Sequence, residues 1–177
     1  MRPFLSGLVR AIESLIDAAG RLTMWFALAM IALVATNVLL RYSMSLGSVW
    51  AQELEWHLLA AMIMLGMSHA LQRGEDVRVD LFYASYRPTT KWWVDLVSVL
   101  LLFAMAALFA KLSLGYVAQS WAVGERSADP GGIPWRWAVK SLIPIGFVLI
   151  ALHALAATIR LVLAGPVSRA NVEVPRG

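Results

Sequence analysis

Four long apolar stretches, each with an uncharged core, constrain this chain more than any other feature. Leu22 to Leu40 reads LTMWFALAMIALVATNVLL, 19 residues lacking Asp, Glu, Lys and Arg. A helix needs about 20 such residues to cross roughly 30 Å of hydrocarbon. The second stretch begins near Ser48, a candidate N-cap, and runs to Leu71. Glu53 and Glu55 fall in its first turns, where the helix dipole favours anions, and Trp56 to Gln72 is uncharged. The third starts at Trp92 and Trp93 and continues through Leu96 to Ala110 before meeting Lys111. At 1.5 Å per residue, Trp92 to Lys111 covers about 28 Å, which places Lys111 and Asp95 near opposite interfaces. The fourth is Ser141 to Ile159, with Pro144 expected to bend it.

The composition agrees with these runs. The chain is 60% hydrophobic and 15% charged, whereas a soluble domain carries about 25% charged residues. The expected fold is an all-α integral membrane protein with four transmembrane helices over about 22–40, 49–71, 92–111 and 141–160, within a domain of residues 22–162. Residues 1–21 are too charged to span. At 100° per residue, however, Phe4, Leu5, Leu8, Val9, Ile12, Leu15, Ile16 and Ala19 share one arc, and Ser6, Arg10, Glu13 and Asp17 lie opposite. This pattern predicts an N-terminal amphipathic helix lying in the membrane interface, although a helix packed on a protein would carry the same signature. GERSADPGGIP marks an irregular loop before the fourth span, flanked by Trp121, Trp135 and Trp137 as interfacial aromatics. Residues 163–177 read as a disordered tail.

The net charge of +4 is scattered between apolar runs with no basic stripe, so the partner it indicates is the lipid bilayer and not nucleic acid. With the N-terminus inside, Arg2, Arg10, Arg21, Arg73, Arg78, Arg87, Lys91, Arg160, Arg169 and Arg176 are cytoplasmic. Arg41, Lys111, Arg126, Arg136 and Lys140 are then external, ten against five, and both termini are predicted to be cytoplasmic. The first apolar run exceeds the usual signal-peptide core and has no small-residue cleavage site, which argues against a cleaved leader.

Candidate chemistry is sparse. No Cys is present, which removes disulfides, thiolate metal sites and a Cys nucleophile. His57, His69 and His153 raise the possibility of a four-helix membrane cytochrome, but two haems need four axial histidines. His57 and His69 stand about 18 Å apart along one helix and cannot share an iron. Each reads as a polar interface residue, so no cofactor is expected in this chain. A proton-coupled multidrug exporter would carry an acid in its first span, and Leu22 to Leu40 has none. No catalytic fingerprint occurs, and the chain is not expected to be an enzyme.

Read in order, the polar positions form a series: NVLLRY at Asn37 to Tyr42, WAQEL at Trp50 to Leu54, GMSHALQRGEDVRVDLF from Gly66 to Phe82, IPW at Ile133 to Trp135 and PIGF at Pro144 to Phe147. Over roughly Leu22 to Leu161 this resembles the DctQ-type small membrane subunit of tripartite ATP-independent periplasmic (TRAP) transporters. One departure is Asp76, where that family often has His. The resemblance implies a bacterial inner-membrane location, a large membrane partner subunit that carries the sodium and substrate sites, and a periplasmic solute-binding protein that delivers an organic acid. The competing class is a self-sufficient homo-oligomeric carrier. The candidates for subunit contact or structural roles are Asn37, Arg41, Trp50, Glu53, Gly66, Arg73, Gly74, Asp80, Pro144 and Gly146. Arg41 is expected to lie near Glu53 or Glu55 across the short connection from Tyr42 to Val49. Gly66, with Ser68 and Ala70, offers a close-approach face. Gly74 suits a helix C-cap, and Arg73 to Asp80 is expected to form a corner with an extended stretch that contacts the large subunit.

Overall fold

The computed structural model describes residues 2–75 and 83–168. They form four long helices: α1 (Arg2–Met44), α2 (Val49–Arg73), α3 (Pro88–Ala122) and α4 (Arg136–Ser168), with a single 3-10 turn at Tyr83–Ser85. All four are long and apolar enough to cross a membrane.

Helix α1 runs 43 residues without a break, so the interfacial helix expected over residues 1–21 is not a separate element. After Pro3 no proline interrupts it, and Gly20 stays helical beneath a side chain of α2. The predicted apolar arc is divided between two environments. Val9, Ile12 and Ile16 are buried against Leu152, Leu155, Ala156 and Ile159 of α4, while Phe4, Leu8 and Leu15 remain exposed. Contact within the chain therefore takes the half of the arc that had been assigned to lipid.

Both ends of α2 follow the residues that flank it. Ser48 is the N-cap, its hydroxyl accepting the Ala51 N–H at 3.3 Å. Gly74 closes the helix at φ 70°, a left-handed conformation available to glycine without a Cβ clash. Its N–H reaches the Leu71 carbonyl at 3.2 Å and the Glu75 N–H reaches the Ala70 carbonyl at 3.1 Å. The extended stretch expected at Val77 to Asp80 lies outside the described residues.

Helix α3 begins at Pro88, which suits a first helical position, and continues three turns past Lys111 to Ala122. The helix outlasts the expected span of 92–111 because Leu112 to Ala122 holds no proline, and Ser113 folds its hydroxyl onto the Ala110 carbonyl at 2.9 Å. The helix ends where the turn residues begin, at Val123 and Gly124. Helix α4 stays helical through Pro144, and its backbone leaves helical geometry only at Gly165 (φ 70°, ψ 167°), before Pro166. The tail expected from residue 163 thus starts as helix.

Helix α4 is the centre of the assembly. It packs on α1, α2 and α3, whereas the one extended contact of α3 among the described residues is with α4. A third of the apolar window of α4 is buried (33%), against 6% in α1 and α3. Neighbours run in the order α1, α2, α4, α3, with α1 also touching α4. At the α2–α4 crossing a Cβ on Gly146 would stand 2.7 Å from the Met64 carbonyl oxygen, so only glycine permits this approach.

Candidate functional site

The polar side chains gather at the two ends of the bundle. One end carries the α1–α2 turn and the connection between α3 and α4, residues 123–135. Glu53, one turn into α2, projects its carboxylate into that connection. Ile133 donates its N–H to Glu53 Oε2 at 2.5 Å, Arg136 donates from Nη2 to Oε1 at 3.1 Å, and the Ser127 hydroxyl donates to Oε1. Ser127 also accepts from Arg136 Nη2 at 3.3 Å and from the Asp129 N–H at 3.2 Å. A Cβ on Gly132 would stand 2.7 Å from Glu53 Oε2, so glycine lets the connection close over the carboxylate. Ring closure within the loop completes the clasp, through Ser127 N–H to the Ile133 carbonyl at 3.3 Å and Gly132 N–H to the Asp129 carbonyl at 3.0 Å.

Beside the clasp, Lys140 pairs with Glu125 and sits 4.0 Å from the Tyr116 ring centre. The hydrogen bond from Lys140 holds the Glu125 carboxyl below its ordinary value of 4.5. Trp121 and Trp137 meet edge to face at 4.5 Å. Between α2 and this region opens a groove of about 600 Å³, with Val49, Glu55, Trp56, Asp129 and Arg136 in its walls.

The expected Arg41 pairing is not what the fold builds. Arg41 is exposed and among the described residues forms no ion pair. The cation for Glu53 is Arg136, 83 residues away in sequence. Glu55 instead accepts from Asn37 Nδ2 at 3.3 Å, and Asn37 is buried at 8% exposure. Arg41 is the last basic residue of α1, close to the turn, where its long side chain stays in water by Gly47. Asn37 sits one turn deeper, at the depth of Glu55.

At the opposite end, Asp17 of α1 faces three residues of α2. His69 Nδ1 stands 3.3 Å from Asp17 Oδ1, Gln72 Nε2 donates to the same oxygen at 3.1 Å, and Arg73 Nη2 lies at 3.6 Å. The Arg73 side chain is 59% exposed, which limits this pair to about 0–1 kcal/mol. Glu13 pairs with Arg160 of α4. Across α3, Trp92 Nε1 donates to the Leu161 carbonyl at 3.0 Å, and the Tyr83 hydroxyl donates to Asp95 at 2.9 Å.

The remaining candidates divide. Gly66 faces Thr23 at an ordinary 3.6 Å, so its close approach is within the chain. The tighter contact is at Gly20, where a Cβ would meet the His69 ring at 2.3 Å. His57 is held by its Nδ1 at 2.6 Å from the Glu53 carbonyl. Trp50 is half exposed near the start of α2, and Pro144 lies inside α4. Asp80 and Asp76 lie outside the described residues. Sequence reasoning missed Arg136, Ser127, Gly132, Asp17 and Gly20. Of these, Asp17 carried a usable signal, since Glu13 and Asp17 stand four apart on the polar side of a helix.

Four apolar helices with polar contacts at both ends define a small multi-span helical membrane protein. The family described as Tripartite ATP-independent periplasmic transporters, DctQ component, matches residues 30–164. The chain belongs to this family, the small membrane component of TRAP transporters. No curated protein and no solved structure matches it.

Proposed function

We propose that this chain is the non-catalytic brace of a TRAP-type secondary transporter: it holds a large membrane subunit in place for sodium-driven uptake of an organic acid delivered by a periplasmic binding protein. The observation that carries this reading is the placement of charge. No Asp, Glu, Lys or Arg falls within Leu22 to Leu40, Trp56 to Gln72, Leu96 to Ala110 or Ser141 to Ile159. A coupled carrier needs an ionisable or polar site near the midplane to bind cargo and ion together. The sodium and substrate sites are therefore assigned to the large subunit. In this reading both termini are cytoplasmic, the Glu53 clasp faces the periplasm, and the membrane is the bacterial inner membrane.

Uptake assays in liposomes test it. The chain together with the large subunit and binding protein should accumulate substrate under an inward sodium gradient, and the chain alone should not. Sodium-driven uptake by the chain alone would overturn the brace and favour the homo-oligomeric carrier. A Soret band in the purified chain would point to a cytochrome.

A further inference from the structure

We infer that the apolar belt of this protein runs obliquely across its helices, so that the bilayer is crossed with the helix axes tilted by about 30–40°, given neighbouring axes 8–10 Å apart. The inference rests on the register of the contacts. Helix α1 meets α2 antiparallel through Gly20 with His69, Gly66 with Thr23 and Asn37 with Glu55. Helix α2 runs parallel to α4, with Glu53 level with Arg136 and Met64 with Gly146. Helix α3 meets α4 antiparallel at Trp92 with Leu161, Phe109 with Phe147, Tyr116 with Lys140 and Trp121 with Trp137.

These pairs convert the centre of each uncharged run to a level on α4. The centres are Ile31, Met64, Phe103 and Ile150. Ile31 projects onto α4 near residue 142, Met64 meets Gly146, Ile150 is itself on α4, and Phe103 projects near residue 152. The levels rise in one direction through the neighbour order α1, α2, α4, α3. From 142 to 152 is ten residues, about 15 Å along the axes at 1.5 Å per residue. The outer helices, α1 and α3, are separated by about 18–27 Å at the usual interaxial distance. A belt that climbs about 15 Å over that width sits level in a bilayer when the bundle leans by about 30–40°, at the upper end of observed helix tilts.

An upright bundle would misplace the outer helix α1. Centred on Ile150, a layer about 30 Å thick covers about ten residues either way along α4. Level with it on α1 are residues 12–32, which include Glu13, Asp17 and Arg21, while Val38 to Leu40 would stand in water. Leaning removes both faults. A crossing that leans by 30–40° takes about 23–26 residues, so α1 and α3, with 43 and 35 residues, extend beyond the layer. The overhangs then lie at opposite corners: the first turns of α1 on one side, and the end of α3 with residues 123–135 on the other.

The chain has no Cys, so single Cys variants for spin labelling need no background removal. Leu39 and Trp121 are level along the bundle axis, as are Leu15 and Val97, and all four side chains are at least half exposed. Each label is read in the full chain in liposomes by collision with oxygen and with a polar nickel chelate. Leu39→Cys and Val97→Cys should report hydrocarbon, and Trp121→Cys and Leu15→Cys water. Polarised infrared spectroscopy of oriented bilayers should give a mean helix tilt of about 30–40°, against the average of about 20°. Equal depth within each pair, or a mean tilt below about 20°, would overturn the inference.

Discussion

Gly146→Ala tests whether the α2–α4 crossing is the tight joint of the bundle. The added methyl group would lie 2.7 Å from the Met64 carbonyl oxygen and 3.1 Å from Met64 Cβ, where ordinary contact begins near 3.4 Å. The nearest neighbour is backbone, so relief requires the two helices to separate. Overpacking of this kind costs about 1–3 kcal/mol. The matched control is Gly115→Ala in α3, whose Cβ would meet nothing within 4 Å. Both variants share the gain of about 0.5–1 kcal/mol from replacing a helical glycine, so the difference between them isolates the clash. At about 2–4 °C per kcal/mol for a chain of this size, Gly146→Ala should melt about 2–12 °C below Gly115→Ala. Thermal unfolding of the purified chain followed by tryptophan fluorescence measures this directly. Equal melting temperatures, or a higher one for Gly146→Ala, would refute the close-approach argument.

Glu53→Gln keeps the volume of the clasp but removes the charge that Arg136 meets, and should speed hydrogen exchange at the Ile133 amide at least tenfold, whereas Arg41→Ala should leave that amide unchanged. The depressed Glu125 pKa stabilises the connection above pH 4.5, the ordinary value, and the contribution is lost as pH falls through the lowered folded value. Protease resistance of the connection should therefore decline on acidification below pH 4.5, and Glu125→Gln should weaken it at neutral pH and flatten that dependence. Asp80→Asn should insert normally yet halve recovery of the large subunit in pull-downs; full recovery and normal uptake would leave its loop a topological role alone.

What was legible in the sequence was whatever depends on local pattern. The uncharged runs locate four helices because hydrocarbon length is a local count. Ser48 and Gly74 bound α2 because capping is decided within one turn. Helix lengths were less legible: polar residues such as Arg10 and Lys111 stop an apolar run but do not stop a helix, so α1 and α3 continue beyond the apolar runs that locate them. The partners of the acids were the least legible. Glu53 was placed correctly at a helix start, yet its cation is separated from it by two helices, and Arg41 was chosen because it was near in sequence. Asn37 entered only through the family-like motif, and its buried bond to Glu55 is a property of helix depth.

The distribution of contacts by depth bears on the brace reading. At the ends, the described polar pairs tie loops and helix starts to their neighbours, and losing one loosens that loop or helix start. In the middle, α4 holds its neighbours by close backbone approach at Gly146 and by the stacked rings of Phe109 and Phe147, 5.2 Å apart. Such contacts are dense and short-ranged, and sliding one helix by a turn would lose most of them. A carrier that alternates between two states needs a second packing of comparable energy, and a joint of this kind disfavours one. Variants should therefore sort by depth. Gly146→Ala should lower thermal stability and recovery of the large subunit together, and Glu53→Gln should loosen the connection while leaving the bundle and its partner in place. If Glu53→Gln lowers the melting temperature as much as Gly146→Ala, the ends and the middle form one cooperative unit, and the rigidity assigned to the middle belongs to the whole bundle.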